Sequence, residues 1–184
     1  MSKPESLIKM SKFSTGWYII YTRPRHEKKV HARLSEINIT SFLPTRKVLR
    51  VWNDKKRYVD EPLFPSYLFI YLQDIQNYYD SIDLTGALYY VRVGREIARI
   101  SETGINNIKL ITKDQREIEV SKDHFQPGRK LAVKQGVLAG LSCEVIEVRS
   151  KQRLLVRIDL LQRNILITLP SDYLVDIETN HILV

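Results

Sequence analysis

The chain has one cysteine in 184 residues, Cys143, which excludes an intrachain disulfide and any cysteine-rich zinc site. Glycine is also scarce, with seven residues and no Gly-rich loop to cradle a phosphate. No apolar run approaches the roughly 20 residues a bilayer-spanning helix needs. The opening MSKPESLIKMSKFSTG lacks the uninterrupted apolar segment of a secretory signal. A cytoplasmic protein with a short polar tail is the expectation, and the acceptor-like Asn38-Ile39-Thr40 then reads as chance. The four histidines, His26, His31, His124 and His181, form no HExxH pair. His26 and His31 fall about 140° apart around a helix, poor geometry for a shared metal. Carboxylates are scattered without pairing, and Cys143 lies in an apolar strand, where a buried thiol is the expected state. The inventory therefore predicts a binding module with no cofactor, no metal and no catalytic residues.

What the chain does have is basic charge, unevenly spread. The formal net charge is +8. Between Trp17 and Asp60 eleven basic residues face four acids, so +7 of that total falls in one quarter of the chain. Such concentration is the footprint expected for phosphate contacts, solubility being the plainer alternative. The candidates at the strand–helix junction and on the first helix are Arg23, Arg25, His26, Lys28 and Lys29.

Trp17 to Thr22 reads as a strand. Pro24 opens a helix in which Val30, Leu34 and Ile37 share a face, leaving Lys28, Lys29 and Arg33 away from the core. Ser41 to Val51 returns to strand sequence, and Asn53 to Lys56 reads as a turn. In Ser66 to Leu72, alternation puts Tyr67, Phe69 and Tyr71 on one face and Leu68, Ile70 and Leu72 on the other, the aliphatic face suited to lie beneath helices. Asp74 to Leu84 predicts a helix, Leu88 to Val93 a strand, and Ser101-Glu102 caps a last helix. This order predicts an α+β fold whose N-terminal unit is an antiparallel-sheet α/β sandwich with helices mainly on one face. Polar residues 116–124 predict a linker. Five short strands follow, Leu131–Lys134, Cys143–Val148, Arg153–Leu160, Asn164–Leu169 and Tyr173–Ile177, predicting a small β-barrel. The divisions are a tail over 1–15, a first domain over 16–115, a linker over 116–124 and a barrel domain over 125–184.

Two motifs carry a family resemblance. Trp17-Tyr18-Ile19-Ile20 with Glu27, Pro44 and Glu61-Pro62-Leu63-Phe64-Pro65-Ser66-Tyr67-Leu68-Phe69 resembles the NusG N-terminal (NGN) domain, whose pattern runs WYV, a helix glutamate, a mid-domain proline and EPLFPGYVF. Leu131 to Leu141, followed by Glu144-Val145, is similar to the KOW motif VRVxxGPFAGLxG(x)V, and Lys134, Gly136 and Gly140 are its candidate residues here. The chain departs from these patterns at Ser66 for glycine, at Val137-Leu138 for Pro-Phe and at Cys143 for glycine. Its overall form resembles the specialised UpxY-type antiterminators of capsular polysaccharide operons.

The resemblance implies a ferredoxin-like NGN domain, an SH3-like KOW barrel and a transcription elongation or antitermination role. It implies docking on the clamp helices of the largest RNA polymerase subunit through Trp17, Tyr18, Phe64, Pro65 and Tyr67. Aromatic anchors with polar rims suit such a contact, although Trp17 suits a core equally well. Non-template DNA or nascent RNA is the implied nucleic-acid partner. A ribosomal protein or termination factor is the implied partner of the KOW domain, and no membrane is involved. A general RNA-binding or ribosome-associated KOW protein and a purely structural interaction protein are the alternatives. The Gly-containing aromatic strand of an RNA recognition motif is absent from Tyr67 to Tyr71.

Overall fold

The computed structural model describes residues 13–113 and, beyond them, the strand residues 118–121, 129–133, 142–148, 151–158, 163–167 and 174–176. The first half begins with β1 (Gly16–Thr22), α1 (Glu27–Glu36), β2 (Ser41–Phe42), β3 (Thr45–Trp52), β4 (Lys55–Pro62) and β5 (Tyr67–Leu72). It continues through α2 (Ile75–Ile82), β6 (Ala87–Tyr90), β7 (Arg92–Val93), β8 (Glu96–Ile97), β9 (Arg99–Ile100) and α3 (Glu102–Lys113). The main sheet is antiparallel in the order β2-β5-β1-β6, with β9 also pairing with β1. β1 is thus its centre, which explains four consecutive buried residues, Trp17 to Ile20.

Alternation along β1 and β5 sorts these side chains into two cores. Tyr18, Ile20, Leu68, Ile70 and Leu72 pack with Val30 and Leu34 of α1, with Tyr78 and Ile82 of α2 at the margin. On the other face Trp17, Ile19 and Phe69 pack with Ile105, Ile108 and Ile111 of α3. The expected split of Tyr67–Leu72 is therefore observed. The structure adds that α3 covers the aromatic face, so both faces carry helix. Each fully buried aliphatic side chain in these layers contributes about 1.5–3 kcal/mol.

Local chemistry sets the helix starts. Asp74 Oδ1 accepts the Asn77 amide at 2.8 Å and so caps α2, while Asn77 Oδ1 reaches back to the Gln73 amide at 3.1 Å, one residue before the cap. Ser101 Oγ accepts the Gly104 amide at 3.0 Å, so Ser101 caps α3 as its sequence position predicts.

Among the described residues strands β3 and β4 pair only with each other, and they leave the main sheet as a hairpin. Asn53 and Asp54 adopt φ of 46° and 60°, as a two-residue primed turn requires. The expected four-residue turn is therefore two residues long, because Lys55 and Lys56 pair with Trp52 and Val51.

The second half comprises β10 (Ile118–Ser121), β11 (Arg129–Val133), β12 (Ser142–Val148), β13 (Lys151–Ile158), β14 (Arg163–Ile167) and β15 (Leu174–Asp176). They form one antiparallel sheet ordered β10-β14-β13-β12-β11-β15. The last five lie where short strands were expected. Residues 118–121, expected in a linker, are instead an edge strand paired with β14. Among the described residues no ladder joins β10 to β15, so an antiparallel sheet is established here and not a closed barrel.

Candidate functional site

The loop between β4 and β5 is a tight turn held from below. The Tyr67 amide donates to the Phe64 carbonyl at 3.1 Å, with Pro65 next in the chain and Ser66 at φ 67°. Proline at the second position and positive φ at the third is the layout of a type II turn, which ordinarily takes glycine at that third position. Ser66 is buried, and its amide donates to Oε1 of Glu27 at 2.7 Å. Its carbonyl accepts the Thr22 amide at 2.8 Å. Glu27, itself only 4% exposed, thereby pins the turn to the start of α1. Leu63 and Phe64 are buried at the turn's base, Pro65 is exposed and Tyr67 half-buried.

Three of the five expected docking residues share one face. Trp17, Phe64 and Tyr67 belong to the cluster under α3, where Phe64 meets Phe69 edge-on at 6.1 Å and Trp17 meets Tyr71 at 5.4 Å. Lys109 of α3 lays its ammonium 5.0 Å from the Trp17 ring centre, a cation–π lid. The cluster extends into the C-terminal sheet through Cys143 of β12 and Ile165 of β14. Trp17 and Phe64 are thus covered, at 6% and 2% exposure. Tyr18 lies on the opposite face in the α1 core, its hydroxyl donating to the Ser14 carbonyl.

What reaches the surface on the aromatic side is a row in which Tyr67 was expected and its neighbours Tyr21 and Tyr89 were not. Tyr21 of β1 meets Tyr67 edge-on at 5.1 Å and stacks on Tyr89 of β6 at 5.0 Å, with 11° between ring planes. Tyr89 is 54% exposed. The available signal was parity, since Tyr21 continues the series Trp17, Ile19 along β1. Placing Tyr89 beside it required the β1–β6 register.

The basic candidates separate by role. Arg23, Arg25, Lys28 and Lys29 are exposed, while His26 is half-buried against Gly86. Arg25 adopts φ 65°, and the Arg23 amide donates to the Gly86 carbonyl at 2.9 Å, so this junction is fixed by backbone contacts. Lys28 Nζ donates to the backbone carbonyl of Asp60 at 2.7 Å and braces the root of the hairpin. His31 lies farther along α1, with Nδ1 2.7 Å from Ser41 Oγ, and burial lowers its pKa from the ordinary range. The Cys143 thiol is pushed up to about 11, first by burial and then by Glu144, so it is protonated at neutral pH. The KOW positions Lys134, Gly136 and Gly140 lie outside the described residues, as do His124 and His181. Among the described residues no cluster of His, Cys, Asp and Glu could hold a metal ion, and no helix is long and apolar enough to cross a membrane.

A glutamate-pinned turn thus stands beside an aromatic sheet face, with cations at the neighbouring helix start. Residues 15–109 match the family described as "Transcription termination factor nusG", and the chain belongs to this NusG family of non-enzymatic transcription factors. The transcription termination/antitermination protein NusG of Chlamydia trachomatis is 24% identical over 158 residues, covering 80% of this chain and 86% of that protein. Its Chlamydia pneumoniae counterpart is 22% identical over 157 residues, with the same coverage. A solved structure of domain interaction in Thermotoga maritima NusG shares 19% identity, covers 89% of this chain and 98% of its own, and has a TM-score of 0.48. A structure of the MjSpt4:Spt5 complex covers 88% and 96% at 15% identity and a TM-score of 0.30.

Proposed function

We propose that this NusG-family protein is an antitermination factor that docks its N-terminal domain on the clamp helices of the largest RNA polymerase subunit and raises processivity at a particular operon. A polysaccharide-biosynthesis operon, as for UpxY-type relatives, is the specific reading. The observation that carries it is the turn holding Pro65 outward beside Tyr67, Tyr21 and Tyr89. A row of half-exposed rings with polar tips offers large apolar area and hydroxyl partners to a helix pair at low cost in side-chain entropy. Trp17 and Phe64 lie beneath this row. Because their cluster also includes Cys143 and Ile165, docking through them exchanges C-terminal apolar cover for polymerase side chains. Arg23, Arg25, His26, Lys28 and Lys29 would then face nucleic acid and position the factor through phosphates. The second half serves as the KOW barrel, open to a ribosomal protein or termination factor.

The test is retention of purified polymerase by the immobilised full chain, together with transcription in vitro through a terminator placed behind the operon's own leader. Tyr67→Ala combined with Tyr89→Ala removes two rings of the row; because half-buried Tyr67 also packs at the margin of the α3 core, circular dichroism checks that the fold is kept. Retention is expected to fall at least about tenfold, as for loss of one interface hot spot, and read-through to fall with it. Unchanged retention overturns the docking surface; retention without read-through overturns the antitermination role.

A further inference from the structure

The β3–β4 hairpin projects eight residues from its root, about 26 Å at a strand's rise. It carries the most exposed large hydrophobic side chains of the described residues: Trp52 at 80%, Tyr58 at 71% and Val51 at 63%. An isolated two-stranded hairpin gains little stability from such residues, and exposed apolar area of this kind marks an interaction site.

The register sorts the side chains. Trp52 lies opposite Lys55, and Arg50 opposite Arg57, all on one face. Two arginines directly opposed are unfavourable for folding. Arg50 is relieved by Glu61, whose Oε1 it reaches at 2.8 Å. Among the described residues no ion pair engages Lys55, Lys56 or Arg57. Asp54 in the turn is the single acid of residues 50–57. The far end therefore combines an unpacked indole with uncompensated cations on the same face. An apolar protein groove would bury those cations unpaired, whereas a polyanion with unstacked rings complements both the charge and the indole.

We propose that the β3–β4 hairpin is a second nucleic-acid-binding element, separate from the α1 patch, in which Lys55 and Arg57 contact phosphates and Trp52 stacks on an unpaired base. Single-stranded DNA and RNA share this chemistry. The inference does not depend on polymerase docking.

Its test is fluorescence anisotropy of labelled dT12 and U12 single strands with the full-length protein, across a salt series, with a blunt 12-base-pair duplex as a third arm. All substituted residues are exposed, and circular dichroism checks the fold. Trp52→Ala is expected to weaken single-strand binding about 5- to 100-fold, and Trp52→Phe to recover most of it. Lys55→Ala with Arg57→Ala is expected to lower the salt slope by about 1.4, at about 0.7 per phosphate. Loss in either single-strand arm supports the proposal and identifies the strand. Unchanged binding of Trp52→Ala in both arms overturns it, as does an equal loss on the blunt duplex. Unchanged binding together with lost polymerase retention would make the hairpin a protein contact and also overturn it. Polymerase retention by Trp52→Ala, measured alongside, separates this test from that of docking.

Discussion

The carboxylate of Glu27 accepts the backbone amide of Ser66 at 2.7 Å, joining the first turn of α1 to a loop 39 residues later. Both groups are buried, and the bond fixes where Pro65 and Tyr67 stand. Removing the carboxylate leaves a buried amide without its acceptor. Glu27→Ala is expected to cost about 1–3 kcal/mol in urea denaturation, and Glu27→Gln, which keeps an acceptor oxygen, considerably less. If Glu27→Ala proves as stable as the parent, the turn is held by other contacts.

Ser66 occupies a backbone region that costs an L-residue about 1–2 kcal/mol. Ser66→Gly relieves that strain and offsets it by greater freedom in the unfolded chain, so a change between zero and about 1 kcal/mol of added stability is expected. Ser66→Val, β-branched at positive φ, is expected to destabilise clearly. The midpoint of urea unfolding distinguishes the two, and equal midpoints would mean the turn relaxes to accept either.

Burial lowers the His31 pKa, so between that value and the ordinary 6.5 the unfolded chain binds a proton the folded chain refuses. Stability therefore declines as pH falls below about 6.5. His31→Gln keeps a hydrogen-bonding group beside Ser41 without the titration. Its stability profile between pH 7.5 and 5.5 is expected to be flatter than the parent's, and parallel profiles would assign the pH response elsewhere.

The Cys143 thiol, buried and raised to about 11, is expected to react with iodoacetamide far more slowly at pH 8 than the same protein in denaturant. If docking draws the C-terminal strands away from Trp17 and Phe64, added polymerase accelerates labelling. A folded-state rate equal to that of an exposed thiol would show that the strand does not shield it.

The alternation of Tyr67 to Leu72 was legible because each residue's face follows from its neighbours alone. The five C-terminal strands were legible for the same reason. Long-range features were not. β8 and β9 are two residues each, too short for a periodic signal, and β10 looks polar because it is an edge strand paired on one side only. In the candidate site, the motif marked Phe64, Pro65 and Tyr67, yet Tyr18 beside Trp17 went to the opposite core by strand parity. Tyr89 joined the surface row only through pairing with a strand about 70 residues earlier. Lys28 reads from sequence as a free cation; its ammonium is engaged by a carbonyl 32 residues away.

Strand β1 sends Trp17 and Tyr18 into different layers, where each ring packs with its own cluster. Sliding the β1–β5 ladder by a single residue would turn the indole towards α1 and the phenol towards α3, ruining both layers together. The two layers on either side of β1 therefore cannot settle one at a time. The register of six pairs is a lock with two bolts on one key, and the two layers are expected to lose their packing together.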